Sequence, residues 1–293
     1  MLLGDVAGLG SALCWAWGGV LGRLLTARLG VLATAGWRSL VAAALGFGVA
    51  FALGRGDALS SLSWALLAVF LVSTVLMLGG ELSFLAGLKA DLASRVFSVA
   101  SSGYIFLSLV LSALFTRDGL PWTTAVGGVL VAAGIAFLFS PAEAWALVRG
   151  VQMGGLGYGL AAALFWSLGS LGFAWVVRSL DVFLAHAMRM ALIALLLSPL
   201  FLYRRGGVPT PWADQGTMVL LGLGALTGYG SGLLFLVALR YTTLGNAVVL
   251  SSVAPLFVVP IARLVGKERV TWRLWAGVVA MVAGIWAAFA PAL

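Results

Sequence analysis

Long apolar segments, separated by short polar breaks, run through the whole chain. A helix that crosses a bilayer needs about 20 consecutive, mostly apolar residues. Ten segments meet this requirement: residues 6–25, 31–53, 62–88, 92–115, 120–139, 153–177, 182–203, 216–239, 244–265 and 270–290. The pattern therefore predicts an all-α polytopic membrane protein with ten transmembrane helices.

The amino-acid composition agrees with this prediction and excludes several functions. Hydrophobic residues make up 62% of the chain and charged residues only 9%, whereas soluble domains carry about 25% charged residues. One cysteine, Cys14, and one histidine, His186, are too few for a disulfide framework or a clustered metal site. The net charge of +8 comes from basic residues scattered at segment ends, which does not fit a nucleic-acid partner. The N-terminus lacks the basic region of a signal peptide, so we expect the first helix to be retained.

The two halves of the chain, 1–140 and 153–293, repeat each other on either side of a polar linker, 141–152. Matching residues recur at an offset of 151, which becomes 150 near the end of each half. The matches include Trp15 with Trp166, Arg38 with Arg189, Phe84 with Phe235, Ser101 with Ser252, and Ala133-Gly134-Ile135 with Ala283-Gly284-Ile285.

Each repeat holds five predicted helices, an odd number, so the two copies must cross the membrane in opposite directions. Inverted repeats are typical of carriers that work by alternating access, with the substrate site near the midplane between the repeats. We therefore predict two inverted five-helix repeats around a central cavity that binds a small molecule.

The stretch 238–272 carries the most specific motif of the chain. It contains Pro255 and Pro260 beside Ser251 and Ser252, and it ends in a Lys267-Glu268-Arg269 turn. With the later Ala283-Gly284-Ile285, this stretch resembles the signature of the drug/metabolite transporter superfamily, EamA-type branch.

The resemblance covers both repeats. It implies a monomer with five-plus-five topology in the cell inner membrane, a cavity lined mainly by helices 1, 3, 4, 6, 8 and 9, and export of small metabolites. Within the branch, the chain is most similar to the bacterial aromatic amino-acid exporters of the YddG type.

Two prolines and a glycine are the predicted bends. A proline inside a membrane helix frees a backbone carbonyl, which protein or a water-filled cavity must satisfy. We expect Pro255 and Pro260 to bend the ninth helix. The first repeat departs from the motif, because Tyr104 stands where the second has Pro255, so Gly103 would have to supply any bend of the fourth helix.

Glu81 is the one acidic residue well inside a predicted span, roughly 10 Å deep at about 1.5 Å per residue. An ionisable group at that depth is a functional-site hypothesis by default. Three interpretations stay open: a structural ion pair with Arg38, with Arg95 nearby; a contact to substrate or to a coupled proton; or solvation by the cavity. The repeat equivalent of Glu81 is Gly232, so acid chemistry would belong to one half only.

The duplicated Arg38 and Arg189 are predicted to be structural, as is Arg95; the alternative for the pair is snorkelling to the membrane interface. His186 lies one turn before Arg189. We expect its side chain to be packed and hydrogen-bonded within the protein rather than to relay protons.

Several aromatic and serine side chains lie in the helices expected to line the cavity. Among small residues, such aromatics could form flat apolar walls, although small residues also indicate close helix packing. The predicted lining residues, besides Glu81, are Trp15, Trp17, Ser101, Tyr104, Trp166, Tyr229 and Ser252.

The sequence therefore predicts an exporter of amino acids, with aromatic ones preferred. An exporter of drugs or of another metabolite class is the alternative within transport. An intramembrane enzyme or a passive channel is the alternative outside it. No nucleophile–base constellation or phosphate-binding loop is present, so neither an enzyme nor a cofactor is expected, and a proton is the candidate coupling ion.

The distribution of basic residues predicts the orientation in the membrane. Loops after the odd-numbered helices hold Arg23, Arg28, Lys89, Arg95, Arg149, Arg204, Arg205, Arg263, Lys267, Arg269 and Arg273. The other side holds Arg55, Arg117, Arg178 and Arg240. Because cytoplasmic loops carry the excess of lysine and arginine, both termini should face away from the cytoplasm. A C-terminal reporter that works only in the cytoplasm should be inactive, and an active reporter would reverse this orientation.

Overall fold

Ten α-helices account for most of the residues that the computed structural model describes, which are 2–55, 63–116, 122–138, 154–202, 209–241, 250–251 and 253–289. They are α1 Leu2–Leu29, α2 Val31–Ala52, α3 Trp64–Ala90, α4 Ala93–Thr116, α5 Trp122–Leu138, α6 Gly155–Ser179, α7 Val182–Leu202, α8 Gln215–Tyr241, α9 Ala254–Leu264 and α10 Trp272–Phe289. A short 3₁₀ turn, Pro211–Ala213, precedes α8. Within the described ranges, α2, α3, α6, α7 and α8 are each long and apolar enough to cross a membrane. The predicted linker and most of 244–253 lie outside the described residues.

The helices of one half pack mainly on helices of the other half. The helix α1 packs along α8, and α3 packs along α6. Because α1 is equivalent to α6 and α3 to α8, these two contacts are related by exchange of the halves. The pairs α2–α7 and α5–α10 each join equivalent helices, and α4–α6 is matched by α9–α1. This two-fold pattern of pairing is the one that inverted repeats produce, and it leaves a cavity between the halves.

Glycines bring the backbones of α5 and α10 into contact. A Cβ atom on Gly284 would lie 2.7 Å from the carbonyl oxygen of Gly127. A Cβ atom on Gly277 would lie 2.8 Å from the carbonyl oxygen of Gly134. Small residues allow membrane helices to approach this closely, where van der Waals packing holds them together. Gly127 and Gly134 are the repeat equivalents of Gly277 and Gly284, so the crossing itself is two-fold.

Glu268 joins three helical segments at one face of the molecule. Its buried carboxylate accepts hydrogen bonds from the backbone N–H groups of Ala93 (2.7 Å) and Ser94 (3.1 Å) and from the Ser94 hydroxyl (2.6 Å). The same carboxylate pairs with Arg23 near the end of α1. A carboxylate at the N-terminus of α4 also meets the positive end of the helix dipole. The turn between α9 and α10 is thereby tied to α1 and α4.

A second connection on this face joins α1 to α8. Arg28 pairs with Asp214 at 2.7 Å, and Asp214 accepts a hydrogen bond from the backbone N–H of Thr217 at 2.9 Å. Asp214 therefore caps the start of α8. The hydrogen bond from the Thr217 hydroxyl, followed by those from the Gly216 and Thr217 backbone, lowers the pKa of the Asp214 carboxyl.

The predicted bend residues have specific places in these helices. Pro255 lies in the first turn of α9, where its missing N–H group costs little, and Pro260 lies inside the same helix. Helix α4 runs continuously through Gly103. A Cβ atom on Gly103 would lie 3.0 Å from the Cβ of Ala163, so the observed role of this glycine is close packing of α4 on α6.

The glycine contact between α5 and α10 gives a stability prediction. Gly284→Ala places a methyl group against the Gly127 carbonyl, and such overpacking costs about 1–3 kcal/mol. The melting temperature of the purified protein should fall. Gly48→Ala, inside α2 with no atom near the added methyl, is the matched control. It should leave the melting temperature unchanged or raise it slightly, because alanine favours helix. Equal melting temperatures for the two variants would contradict the close crossing.

Candidate functional site

A cavity of about 180 Å³ lies between the two halves. Side chains of α1, α2, α3 and α4 from the first half meet those of α6, α7 and α8 from the second half around it. Ser251 adds to its wall. The position matches the midplane site expected between inverted repeats.

One wall of the cavity is a cluster of aromatic rings. The Trp15 and Trp166 ring centroids lie 5.6 Å apart with an interplanar angle of 69°, and Tyr104 lies edge-on to both, at 6.1 and 6.2 Å. Such edge-to-face arrangements are favourable for aromatic quadrupoles. Trp15 and Trp166 are repeat equivalents, so the two halves contribute matching rings that meet at the centre.

Serines of α6 fix the position of Tyr104. The Tyr104 hydroxyl and the Ser170 hydroxyl are hydrogen-bonded at 2.8 Å, and the Ser167 hydroxyl donates to the Tyr104 backbone carbonyl at 2.9 Å. Both serines are buried. Because the polar end of Tyr104 is satisfied within the protein, its ring edge is available as an apolar surface.

Charged side chains form another part of the wall. The Arg38 Nη1 atom donates to the Glu81 Oε1 atom at 3.0 Å, and both side chains are largely shielded from solvent. A Cβ atom on Gly228 of α8 would lie 2.6 Å from the Arg38 Nη2 atom, so the guanidinium rests directly on the α8 backbone. Of the three interpretations of Glu81, the structure contains the ion pair with Arg38. This pair lies on the cavity surface.

Arg189 and His186 occupy the corresponding part of the second half. The Arg189 Nη2 atom donates to the His186 Nδ1 atom at 2.9 Å. A guanidinium has no acceptor atom, so this bond requires a neutral His186 with its proton on Nε2. The His186 side chain is fully buried and its ring centroid is 5.0 Å from that of Tyr229. His186 therefore orients Arg189, which agrees with the packing interpretation.

The structure brings five of the eight predicted lining residues together on the cavity surface, and it places Trp17 and Ser101 elsewhere. Those on the surface are Trp15, Glu81, Tyr104, Trp166 and Tyr229.

Trp17 lies outside the cavity, with 37% of its surface exposed. Two residues along a helix turn it by about 200°, so Trp15 and Trp17 must point to opposite sides. Ser101 is also absent from the cavity surface: it is fully buried, and its hydroxyl donates to the Phe97 carbonyl at 2.7 Å. Ser252 lies outside the described residues.

Of the three predicted structural arginines, Arg38 and Arg189 line the cavity. Arg95 pairs with Asp91 one turn earlier, at 3.0 Å, and donates to the Leu138 carbonyl at the end of α5. Arg95 therefore helps to fix the start of α4.

Several lining residues are not predicted from the sequence, among them Phe84, Phe235, Met77 and Met190. A usable signal existed for the two phenylalanines. They are repeat equivalents, and Phe84 follows Glu81 by three residues, which places both on one face of α3. The two methionines have no such signal, because apolar residues occupy nearly every position of these helices.

Comparisons with known proteins agree with this architecture. A model of the EamA-like transporter family matches residues 2–140 and 153–290. An uncharacterized transporter of Archaeoglobus fulgidus is 26% identical over 219 residues, covering 73% of this chain and 72% of that protein. One crystal structure superimposes with a TM-score of 0.69 at 16% identity, covering 96% of this chain and 94% of the other, and supports the fold. Because transport is the activity of this family, the enzyme alternative is set aside. The chain belongs to the EamA-like transporter family and is a multi-pass membrane transporter of small molecules.

Proposed function

We propose that this transporter exports amino acids from the cell across the inner membrane, as a monomer, by alternating access. Aromatic amino acids are preferred, with broad tolerance for others. The observation that carries this proposal is the central cavity, which joins an aromatic wall to a charged wall between two inverted repeats. An amino acid has both an apolar side chain and charged groups, and this cavity offers partners for each.

The aromatic wall sets the expected degree of preference. Edge-to-face contacts contribute about 0.5–1.5 kcal/mol beyond the burial of apolar area, which corresponds to roughly tenfold at most in affinity. Phenylalanine- or tryptophan-like solutes should therefore be favoured over small aliphatic ones without strict exclusion. Weak selectivity of this kind suits an exporter, which must also release what it binds.

The cavity volume favours a metabolite over a drug. Sites for drug-sized ligands have volumes of about 300–1,000 Å³, and this cavity measures about 180 Å³. A drug exporter would need a larger cavity in another conformation of the protein.

Counterflow in proteoliposomes tests the proposed function. Unlabelled phenylalanine loaded inside should drive transient accumulation of labelled phenylalanine from outside, with saturation at high concentration. A passive channel would give flux without either property. Threonine and alanine, added as competitors, should reduce this accumulation more weakly than tryptophan does.

Replacement of Trp166 tests the aromatic wall. Trp166→Ala removes the ring that contacts both Trp15 and Tyr104, so transport of phenylalanine and tryptophan should fall several-fold more than that of threonine. Trp175→Ala is the matched control, because Trp175 lies on the same helix with 48% of its surface exposed. Equal losses for all substrates would instead identify Trp166 as a packing residue.

Replacement of Glu81 tests the ion pair. Glu81→Gln leaves the Arg38 guanidinium without its carboxylate. Removing one member of a fully buried pair costs about 3–5 kcal/mol, and this pair should cost less because 14% of the Arg38 side chain and 30% of the Glu81 side chain are exposed. We expect a clear drop in melting temperature, largely recovered when Arg38→Gln is added. Glu81 is also the acidic side chain available to a coupled proton among the described lining residues. Unchanged stability with transport abolished would assign Glu81 to substrate or proton binding instead.

A further inference from the structure

The charges on the cavity surface do not balance. The described lining residues include two arginines, Arg38 and Arg189, and one acid, Glu81. Glu81 pairs with Arg38. Among the described residues, no carboxylate lies within ion-pair distance of Arg189. The described lining residues therefore carry one net positive charge, and Arg189 is the arginine among them that has no carboxylate partner.

The internal repeat explains where the missing acid would be. Arg189 corresponds to Arg38, and Gly232 corresponds to Glu81. The His186 ring and the Arg189 Nη2 atom, the latter at 2.6 Å, both lie against the place where a Cβ atom on Gly232 would be, so position 232 adjoins the guanidinium of its own half. In the first half the equivalent position supplies a carboxylate. In the second half it supplies no side chain.

The remaining neighbours of Arg189 do not replace a carboxylate. His186 accepts one hydrogen bond as a neutral group, and the Phe173 ring centroid lies 5.3 Å from the guanidinium carbon. The Arg189 Nε atom and the Tyr229 hydroxyl are both buried, and neither has a hydrogen-bond partner among the described residues. Buried polar groups normally find partners. Like the Arg38 Nε atom, these two hydrogen-bond donors in the cavity wall have no acceptor among the described residues.

We propose that Arg189 binds the carboxylate of the transported molecule, which supplies the negative charge that position 232 lacks in this half. The Tyr229 hydroxyl is a second donor to the same group. The aromatic part of the substrate then lies against Trp15 and Trp166. This inference rests on the proposed function only in that the cavity is the substrate site. It adds that the substrate must carry a carboxylate.

The subsite predicts a specific order among related ligands. A free carboxylate is required, and an ammonium group is dispensable because Glu81 is already paired. Amides and amines of the same ring should bind poorly, since they bring a positive charge to a surface that already has one in excess. Hydrogen bonds to charged groups contribute about 1.5–3 kcal/mol, so the carboxylates should bind about 10- to 100-fold more tightly.

Four ligands with one phenyl ring test this order on the purified full-length protein. Binding of phenylalanine, phenylacetate, phenylalaninamide and phenethylamine is measured by thermal shift and by quenching of tryptophan fluorescence. Phenylalanine and phenylacetate should bind, and the other two should bind at least about tenfold more weakly. Failure of both carboxylates to bind, or binding of the amide as tightly as phenylalanine, overturns the subsite.

Variants of Arg189 connect the preference to this side chain. In Arg189→Gln, the affinity ratio of phenylalanine to phenylalaninamide should fall to near one. Arg189→Lys keeps the charge and should keep the preference at reduced affinity. Arg178→Gln removes the same charge from an exposed position on α6 and should leave the ratio unchanged. If Arg189→Gln does not fold, the lysine variant decides: an affinity unchanged from the original protein overturns the assignment.

The same panel separates this inference from the proposed function. If phenylacetate binds in a way that depends on Arg189 but no amino acid shows counterflow, the carboxylate subsite is supported and the proposal of amino-acid export is wrong. If phenylalanine and phenylalaninamide show counterflow at equal rates, transport of aromatic solutes is supported and the proposed carboxylate subsite at Arg189 is wrong.

Discussion

The positive charge that Arg38 and Arg189 hold inside the membrane is the constraint on which the cavity depends. An uncompensated guanidinium at that depth is costly, so each one needs a partner or a polar cavity beside it. Arg38 has Glu81, and Arg189 has a neutral histidine, an aromatic face and open space. The cavity is therefore more than a gap between helices. It supplies the polar environment that lets the second arginine remain charged.

Close helix packing makes this arrangement possible. The guanidinium of Arg38 rests against position 228 on α8, which has no side chain, and the glycines between α5 and α10 bring those backbones together elsewhere. Without a hydrophobic driving force between helices in lipid, such contacts supply much of the association. Polar junctions at the helix ends, such as Glu268 with Arg23 and Ser94, then join segments that are far apart in the sequence.

The sequence predicted the helices and the repeat well, because both depend on patterns that are local or periodic. Apolar segment length indicates a span, and the offset between Trp15 and Trp166 relates the halves. Side-chain direction was harder to predict. In helices that are apolar all round, no polar face shows which residues turn inward, so Trp17 was included with Trp15. The role of Glu268 also escaped prediction, since its partners lie on α1 and α4 and no local pattern connects them.

The two halves match at the α5–α10 crossing and in several cavity residues, such as Trp15 and Trp166, but they differ in the charge that they bring to the cavity. At the α5–α10 crossing, the contact of Gly127 with Gly284 is repeated by the contact of Gly277 with Gly134, so both copies satisfy the same backbone contact. At the cavity, Glu81 corresponds to Gly232. A two-fold symmetric cavity would present the same groups to both ends of its ligand. An amino acid has a ring at one end and charge at the other, so a cavity that binds it in one orientation must lose that symmetry. In this protein the charge symmetry is lost because the duplicated arginine has an acidic neighbour, Glu81, in the first half only.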